Sequence, residues 1–236
     1  MKQIVQANNR FEFSIGLKSR LNLLILLHTL FFAAYYIIDS NGMLASPLAG
    51  GTVGDHLRNT LAVSSRPQAW PFNWTTSVFT YQFVHLDAGE LLLSVAMLWL
   101  FGHLLKKRAG EKKVVLFYFI LSIMSALVFN FSHLVFPIFS GPGGFMEGAF
   151  GGALGVMTAG VMLCGNRQFR IGKHIRVNLW QVYFVALLIS FMTVYKNNMA
   201  YVLVYAFNIY MGIKYARILE NRETNLSRDA KLAYQA

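Results

Sequence analysis

The chain has 236 residues, 56% of them hydrophobic and 13% charged, with a mean hydropathy of +0.46. Soluble domains carry about 25% charged residues, so a water-soluble globular protein is excluded. The excess of 21 Lys+Arg over 10 Asp+Glu leaves nucleic acid, an anionic membrane surface or the positive-inside bias of a membrane protein as its possible causes.

A helix crossing a hydrocarbon core of about 30 Å needs about 20 mostly apolar residues, and six such stretches occur in chain order. The first, 21–38, follows a polar and basic tail of residues 1–20 and exceeds the apolar region of a signal peptide, so it is read as a retained anchor. The second runs from about 79 to 105 and carries His85, Asp87 and Glu90 in its first turns. The third covers 114–140, with Pro137 near its end. The fourth, 144–164, has Glu147 near its start and is dense in glycine; the fifth and sixth cover 177–195 and 198–214. The expected fold class is therefore all-α: a polytopic six-helix membrane domain over 21–219, with a short C-terminal tail of 220–236.

The loops resolve the charge question. Of the 21 basic residues, 18 fall on the N-terminal tail, the loop holding Lys106 to Lys113, the loop holding Arg167 to Arg176, and the C-terminal end; only Arg58, Arg66 and Lys196 lie on the other side. This alternation predicts that both termini are cytoplasmic. Basic residues scattered over short loops, rather than striped on one surface, need no nucleic-acid partner. The segment 39–78 is the one long external loop. It mixes turn residues with Trp70, Phe72 and Trp74, which are read either as an interfacial aromatic belt or as part of a helical hairpin in the outer leaflet.

Two segments then resemble a known family. Thr75 to Gly102, reading TTSVFTYQFVHLDAGELLLSVAMLWLFG, resembles the second-helix segment of rhomboid intramembrane proteases, with a Phe-x-His opening and a Leu-Trp-x-Phe-Gly close. Gly148-Ala149-Phe150-Gly151-Gly152 resembles the Gly-x-Ser-x-Gly-type segment that opens that family's fourth helix. The resemblance implies a serine on the fourth helix and a histidine general base on the sixth. By position these fall on Phe150 and on Tyr201 within Asn198-Met199-Ala200-Tyr201. Phenylalanine has no nucleophilic atom, and a phenol with a pKa of about 10 is a poor base near neutrality. The family's oxyanion-helping histidine and asparagine fall on Glu90 and Ser94, where a carboxylate would repel developing negative charge.

Shifting the register does not restore the dyad, because there is no serine between Gly141 and Ile189 and no histidine after His174. Thr158 and Cys164 are the remaining hydroxyl and thiol on the fourth helix. The resemblance thus implies a pseudoprotease that binds transmembrane segments of client proteins within the lipid bilayer without cleaving them. A divergent active peptidase with another nucleophile is one alternative, and a small-solute or proton carrier built on Glu90 and Glu147 is another.

Seven glycines sit between Gly141 and Gly155. Gly148/Gly152 and Gly151/Gly155 stand at the four-residue spacing that lets helices approach closely in lipid; no Gly-Lys-Ser/Thr follows, which excludes a phosphate loop. The family's sixth helix carries glycines after its histidine, whereas here Val204, Tyr205 and Asn208 occupy that region and only Gly212 remains, which weakens the case for close approach of the fourth and sixth helices. Ionisable groups within spans are costly. Glu147 reads as a carboxylate at a helix N-terminus, Asp87 and Glu90 as hydrated groups near the surface, and His85 as a hydrogen-bonded residue. A sharper alternative gathers His85, Glu90, Glu147, Phe150, Tyr201, Tyr205 and Asn208 around one polar, client-binding pocket. The lone Cys164 excludes an intrachain disulfide, and with no CxxC or Cys/His cluster neither a metal nor another cofactor is expected. The tails lack evident organelle signals, and a bacterial inner membrane is the expected location.

Overall fold

A computed structural model describes residues 19–40, 53–64, 71–85, 87–136, 144–171, 175–195 and 199–233. The N-terminal tail to residue 18, Trp70 and Pro137 lie outside them, as do Arg66, Gly141, His174, Lys196 and Asn198.

The chain is mostly helical: α1 (Arg20–Ser40), α2 (Val53–Leu61), α3 (Pro71–Thr80), a 3-10 turn (Tyr81–Phe83), α4 (Ala88–Ala109), α5 (Glu111–Val135), α6 (Phe150–Cys164), α7 (Leu179–Tyr195) and α8 (Ala200–Ala233). Two small antiparallel ribbons depart from an all-α reading. β1 (Val63–Ser64) pairs with β2 (Phe145–Met146), and β3 (Gln168–Ile171) pairs with β4 (Ile175–Asn178).

Four helices are long and apolar enough to cross a membrane: α1, α4, α5 and α8; α6 and α7 are shorter apolar helices. The first is apolar all round, and Leu23, Leu30, Phe31, Tyr36 and Ile37 are exposed on it, as expected of a helix whose solvent is lipid. α6 is the opposite case. Its 15 residues span only about 22 Å, yet 13 of them are buried. It is a central post wrapped by α4, α5 and α8, so its length need not match the bilayer.

The second predicted helix does not begin at 79. α3 ends at Thr80, the 3-10 turn follows, and α4 starts only at Ala88, where Asp87 caps it by accepting a hydrogen bond from the Gly89 amide at 2.8 Å. A side-chain acceptor at the N-cap competes for the orphan amides of a first turn and so resets the start. Similarly, the fourth helix starts at Phe150 rather than 144, because Gly148 has φ +87 and breaks the helical path, leaving β2 before it. The sixth helix does not stop at 214: α8 continues to Ala233, about 51 Å in all, taking most of the predicted C-terminal tail. Part of the segment read as the long loop 39–78 is also helical, as α2 and α3, which pack on one another.

The core is built around α6. On the α8 side, Gly155 and Gly212 face each other so closely that a β-carbon on Gly212 would lie 2.6 Å from the Gly155 carbonyl oxygen and 2.6 Å from Thr158 Cβ. On the α5 side, Gly151 leaves room for Ser125, Gly152 for Ser122 and Tyr118, and Gly155 for Leu121. α6 and α8 therefore do approach closely, against the weakened expectation. One glycine pair suffices, because contact at a single crossing point requires small residues only there.

Candidate functional site

Phe150 opens α6, buried, with its ring centroid 5.3 Å from that of Tyr205 on α8. Tyr205 in turn lies 6.3 Å from Tyr201, and Tyr201 lies edge-on to Phe129 of α5 at 5.5 Å. These four rings form a continuous aromatic wall between α5, α6 and α8. Such offset and edge-on arrangements are the favoured ones for aromatic pairs.

Hydrogen bonds fix the wall on its outer side. Tyr201 Oη donates to the Phe145 carbonyl at 3.2 Å and accepts from the Glu147 amide at 3.3 Å, so the phenol spans the backbone of β2 and its exit. With both functions of the hydroxyl engaged, Tyr201 serves as a strut. Glu147 is not a helix N-terminal carboxylate. It accepts from Arg58 of α2 in a bidentate pair, Nε to Oε2 at 2.9 Å and Nη2 to Oε1 at 2.7 Å. The same guanidinium sits 5.0 Å from the centroid of the Phe145 ring. Burial pushes the Glu147 carboxyl upward from the usual carboxylate range, and the Arg58 hydrogen bond and charge oppose that rise. Through this fork and the β1–β2 ribbon, the segment carrying α2 is clamped over the start of α6.

Arg58→Met removes the partner of a carboxylate that is largely shielded from water. We expect it to lower stability by about 1–3 kcal/mol, with Arg58→Met/Glu147→Gln recovering most of the loss. Thermal unfolding in detergent across the double-mutant cycle measures this coupling.

Glu90 lies in the first turn of α4, with its carboxylate packed against Gly148; a β-carbon on Gly148 would collide with it. Two constraints thus meet at Gly148, the positive φ and the contact with Glu90, and both demand glycine. Glu90, Glu147, Tyr201 and Tyr205 are close enough to interact electrostatically. Asn208 sits one turn further along α8 from Val204, and its Nδ2 donates to Ser125 Oγ at 2.7 Å and to the Val204 carbonyl at 2.8 Å. Ser94 is buried on α4. Ser94 Oγ and Asn208 Oδ1 have no hydrogen-bond partner among the described residues.

The seven residues of the expected pocket thus divide. Glu90, Glu147, Phe150, Tyr201 and Tyr205 come together; Asn208 belongs to the α5–α8 contact below them; His85 lies elsewhere. Its Nε2 is 3.4 Å from Nδ1 of His28 on α1, and His28 Nε2 is 2.9 Å from Tyr118 Oη on α5. Both histidines are buried. This trio fastens α1 to the α4–α5 side of the bundle. His28, Arg58, Ser125 and Phe129 were not singled out from sequence. His28 carried a signal all the same, as a polar ring in the middle of an apolar span, and so did Arg58, as one of only three basic residues away from the basic loops and tails.

Among the described residues, neither remaining nucleophile candidate is hydrogen-bonded to a histidine or a carboxylate. Thr158 Oγ1 donates to the Leu154 carbonyl at 2.8 Å and lies 3.2 Å from Tyr183 Oη, an arrangement that ties a hydroxyl to its own helix. Cys164 is a buried free cysteine at the far end of α6. Among the described residues no group of three or more His, Cys, Asp or Glu is placed to hold a metal.

Comparison with known families places this geometry. The family model described as the Rhomboid domain matches residues 71–218, from the start of α3 into α8. No curated protein sequence matches the chain.

Proposed function

The chain belongs to the rhomboid family, and from that premise we propose that it is a pseudoprotease that engages transmembrane segments of client proteins laterally, without cutting them. The observation that carries this reading is the aromatic wall: the position matching the family's serine is a buried phenylalanine packed on Tyr205, and the position matching its histidine is a tyrosine bonded to β2. Where a peptidase needs a nucleophile, a base and room for water, these rings fill the space. Glu90 and Ser94, at the oxyanion-helping positions, supply a carboxylate and a hydroxyl. In this reading α6 and α7 complete six spans, with both termini in the cytoplasm of a bacterial cell and the basic loops obeying the positive-inside bias.

Because the wall is closed, the client surface is the lipid-facing side of α4 and α7, where Leu92, Phe184, Leu188 and Met192 are exposed. Association there would rest on packing between helices rather than on hydrophobic transfer, since lipid is equally apolar.

The test places a photo-crosslinking amino acid at Leu92 or Leu188, with Leu30 on α1 as the comparison position. The expected result is capture of a discrete set of membrane proteins at Leu92 and Leu188, with the cross-link mapped within their transmembrane segments, and not at Leu30. Lipid adducts alone at both positions would overturn client binding. Cleavage of a transmembrane reporter by the purified protein would overturn the pseudoprotease assignment in favour of a divergent peptidase.

A further inference from the structure

α1 is fastened to the bundle at two places. Its first turn is pinned: the Leu21 amide donates to the Glu111 carboxylate at 3.0 Å, and Leu21 packs on Gly102, where a β-carbon would lie 2.9 Å from a leucine methyl. Further along, His28 meets Tyr118 and His85, and Phe31 stacks on Phe83 at 5.1 Å. Beyond Leu24, His28 is the one buried side chain of α1 among the described residues. The middle of an otherwise apolar helix is thus held at a histidine.

A neutral imidazole offers one N–H and one acceptor. That suffices here: Tyr118 Oη donates to His28 Nε2 and His28 Nδ1 to His85 Nε2, or both bonds run the other way. Either order needs no charge and leaves over only His85 Nδ1, which has no partner among the described residues. An added proton finds nothing to balance it. The rings face each other, Phe83 and the Gln82 carbonyl from the preceding turn, and Tyr118 from α5. Tyr81 is committed to the Ser122 carbonyl at 2.6 Å. The carboxylates of the neighbouring elements are engaged elsewhere: Asp87 caps α4, Glu90 packs on Gly148, Glu111 holds the first turn of α1, and Glu147 pairs with Arg58 of α2. An imidazolium at this place is a buried charge without a counter-ion, and two of them set N–H against N–H.

We propose that His28 and His85 form an acid-released latch for α1. With both rings neutral the helix lies closed on α5 and the turn before α4; protonation frees its middle while Glu111 keeps its first turn in place. His85 precedes α4, and burial pushes its imidazole from the ordinary 6.5 down to about 4. A histidine lowered in the closed state gives closure its full strength above about pH 6.5 and withdraws it as the pH falls towards about 4. The proposal does not use client binding and stands or falls independently of it.

The test places spin labels on the exposed Ile37 of α1 and Leu134 of α5, in a C164A background of the full chain in phosphatidylcholine nanodiscs. Their separation is measured by pulsed electron resonance from about pH 8 to about pH 4.5. One short distance is expected at the alkaline end. A second, longer one should grow in below about pH 6.5, the ratio of open to closed rising about tenfold per pH unit. H85Q, which stays neutral, should keep the short distance throughout, and E147Q should respond to acid as the parent does. The proposal is overturned if the parent distance does not change with pH, if H85Q opens as the parent does, or if E147Q alone abolishes the response. Nitrogen-15 resonances of labelled histidine in the parent protein supply a check that needs no variant at the latch. Opening should coincide with protonation of two ring systems that are lost from the spectrum in H28Q and H85Q, and opening while those rings are still neutral would also overturn it.

Discussion

Gly212→Leu is expected to abolish the native bundle, costing about 4 kcal/mol or more. The β-carbon alone would sit 2.6 Å from the Gly155 carbonyl oxygen and 2.6 Å from Thr158 Cβ. The first of these is helix backbone, which cannot swing aside as a flexible side chain can. Relief requires α6 and α8 to separate along the crossing, and that would also pull Phe150 from Tyr205. Gly89→Ala is the contrasting substitution. Its β-carbon meets only Asp87 carboxylate atoms, at 3.4 Å and beyond, and replacing a first-turn glycine of α4 should be neutral or stabilise by about 0.5–1 kcal/mol. Thermal unfolding and monodispersity in a mild detergent distinguish the two. A Gly212→Leu protein that remains folded with a wild-type transition would mean that the glycine contact does not determine the packing.

The second large effect concerns chemistry. Phe150→Ser/Tyr201→His restores the residue types of the family dyad, yet we expect no cleavage of a transmembrane reporter. Removing the Phe150 ring opens a cavity beside Tyr205 at a cost of about 3–5 kcal/mol, and replacing Tyr201 releases β2 from its strut. Even a correctly placed serine and histidine would lack the family's oxyanion-helping histidine and asparagine, whose positions Glu90 and Ser94 occupy; loss of one oxyanion donor alone costs about 10²–10³ in rate. Adding Glu90→His and Ser94→Asn to the double variant is expected to give the first measurable turnover. Cleavage by the double variant at a rate equal to the quadruple would show that Glu90 and Ser94 are not oxyanion positions. Cleavage by the wild type would show that the dyad was never required.

Local chemistry explains which parts of the fold were legible. The four long spans could be read because a run of about 20 apolar residues is a local property, and the glycines of α6 could be read as packing residues because four-residue spacing is also local. Helix ends were harder. Asp87 and Gly148 each override hydropathy, one by capping α4 and the other by leaving helical φ/ψ space, so hydropathy windows placed both starts several residues too early. The β3–β4 ribbon was hidden for a related reason. Its arginines counted as loop charges, and its alternation of polar and apolar residues is only four residues long on each strand.

The site was legible in residue type and not in grouping. Phe150 and Tyr201 stood out because the family motifs around them are short and contiguous. That Glu90 rests on Gly148, that Glu147 answers Arg58 of α2, and that His85 turns away to His28 are contacts between residues 57 to 89 positions apart. The amino-acid sequence by itself determined that this protein lives in lipid, which family motifs it carries, and that no serine lies between Gly141 and Ile189 and no histidine after His174, because each depends on composition or on neighbours along the chain. Only the tertiary structure decided that Phe150, Tyr205, Tyr201 and Phe129 form one aromatic wall, held through Tyr201 to β2 and through Glu147 to Arg58 of α2. That depends on which helices meet, and their meeting is set by packing at a few small residues in three dimensions.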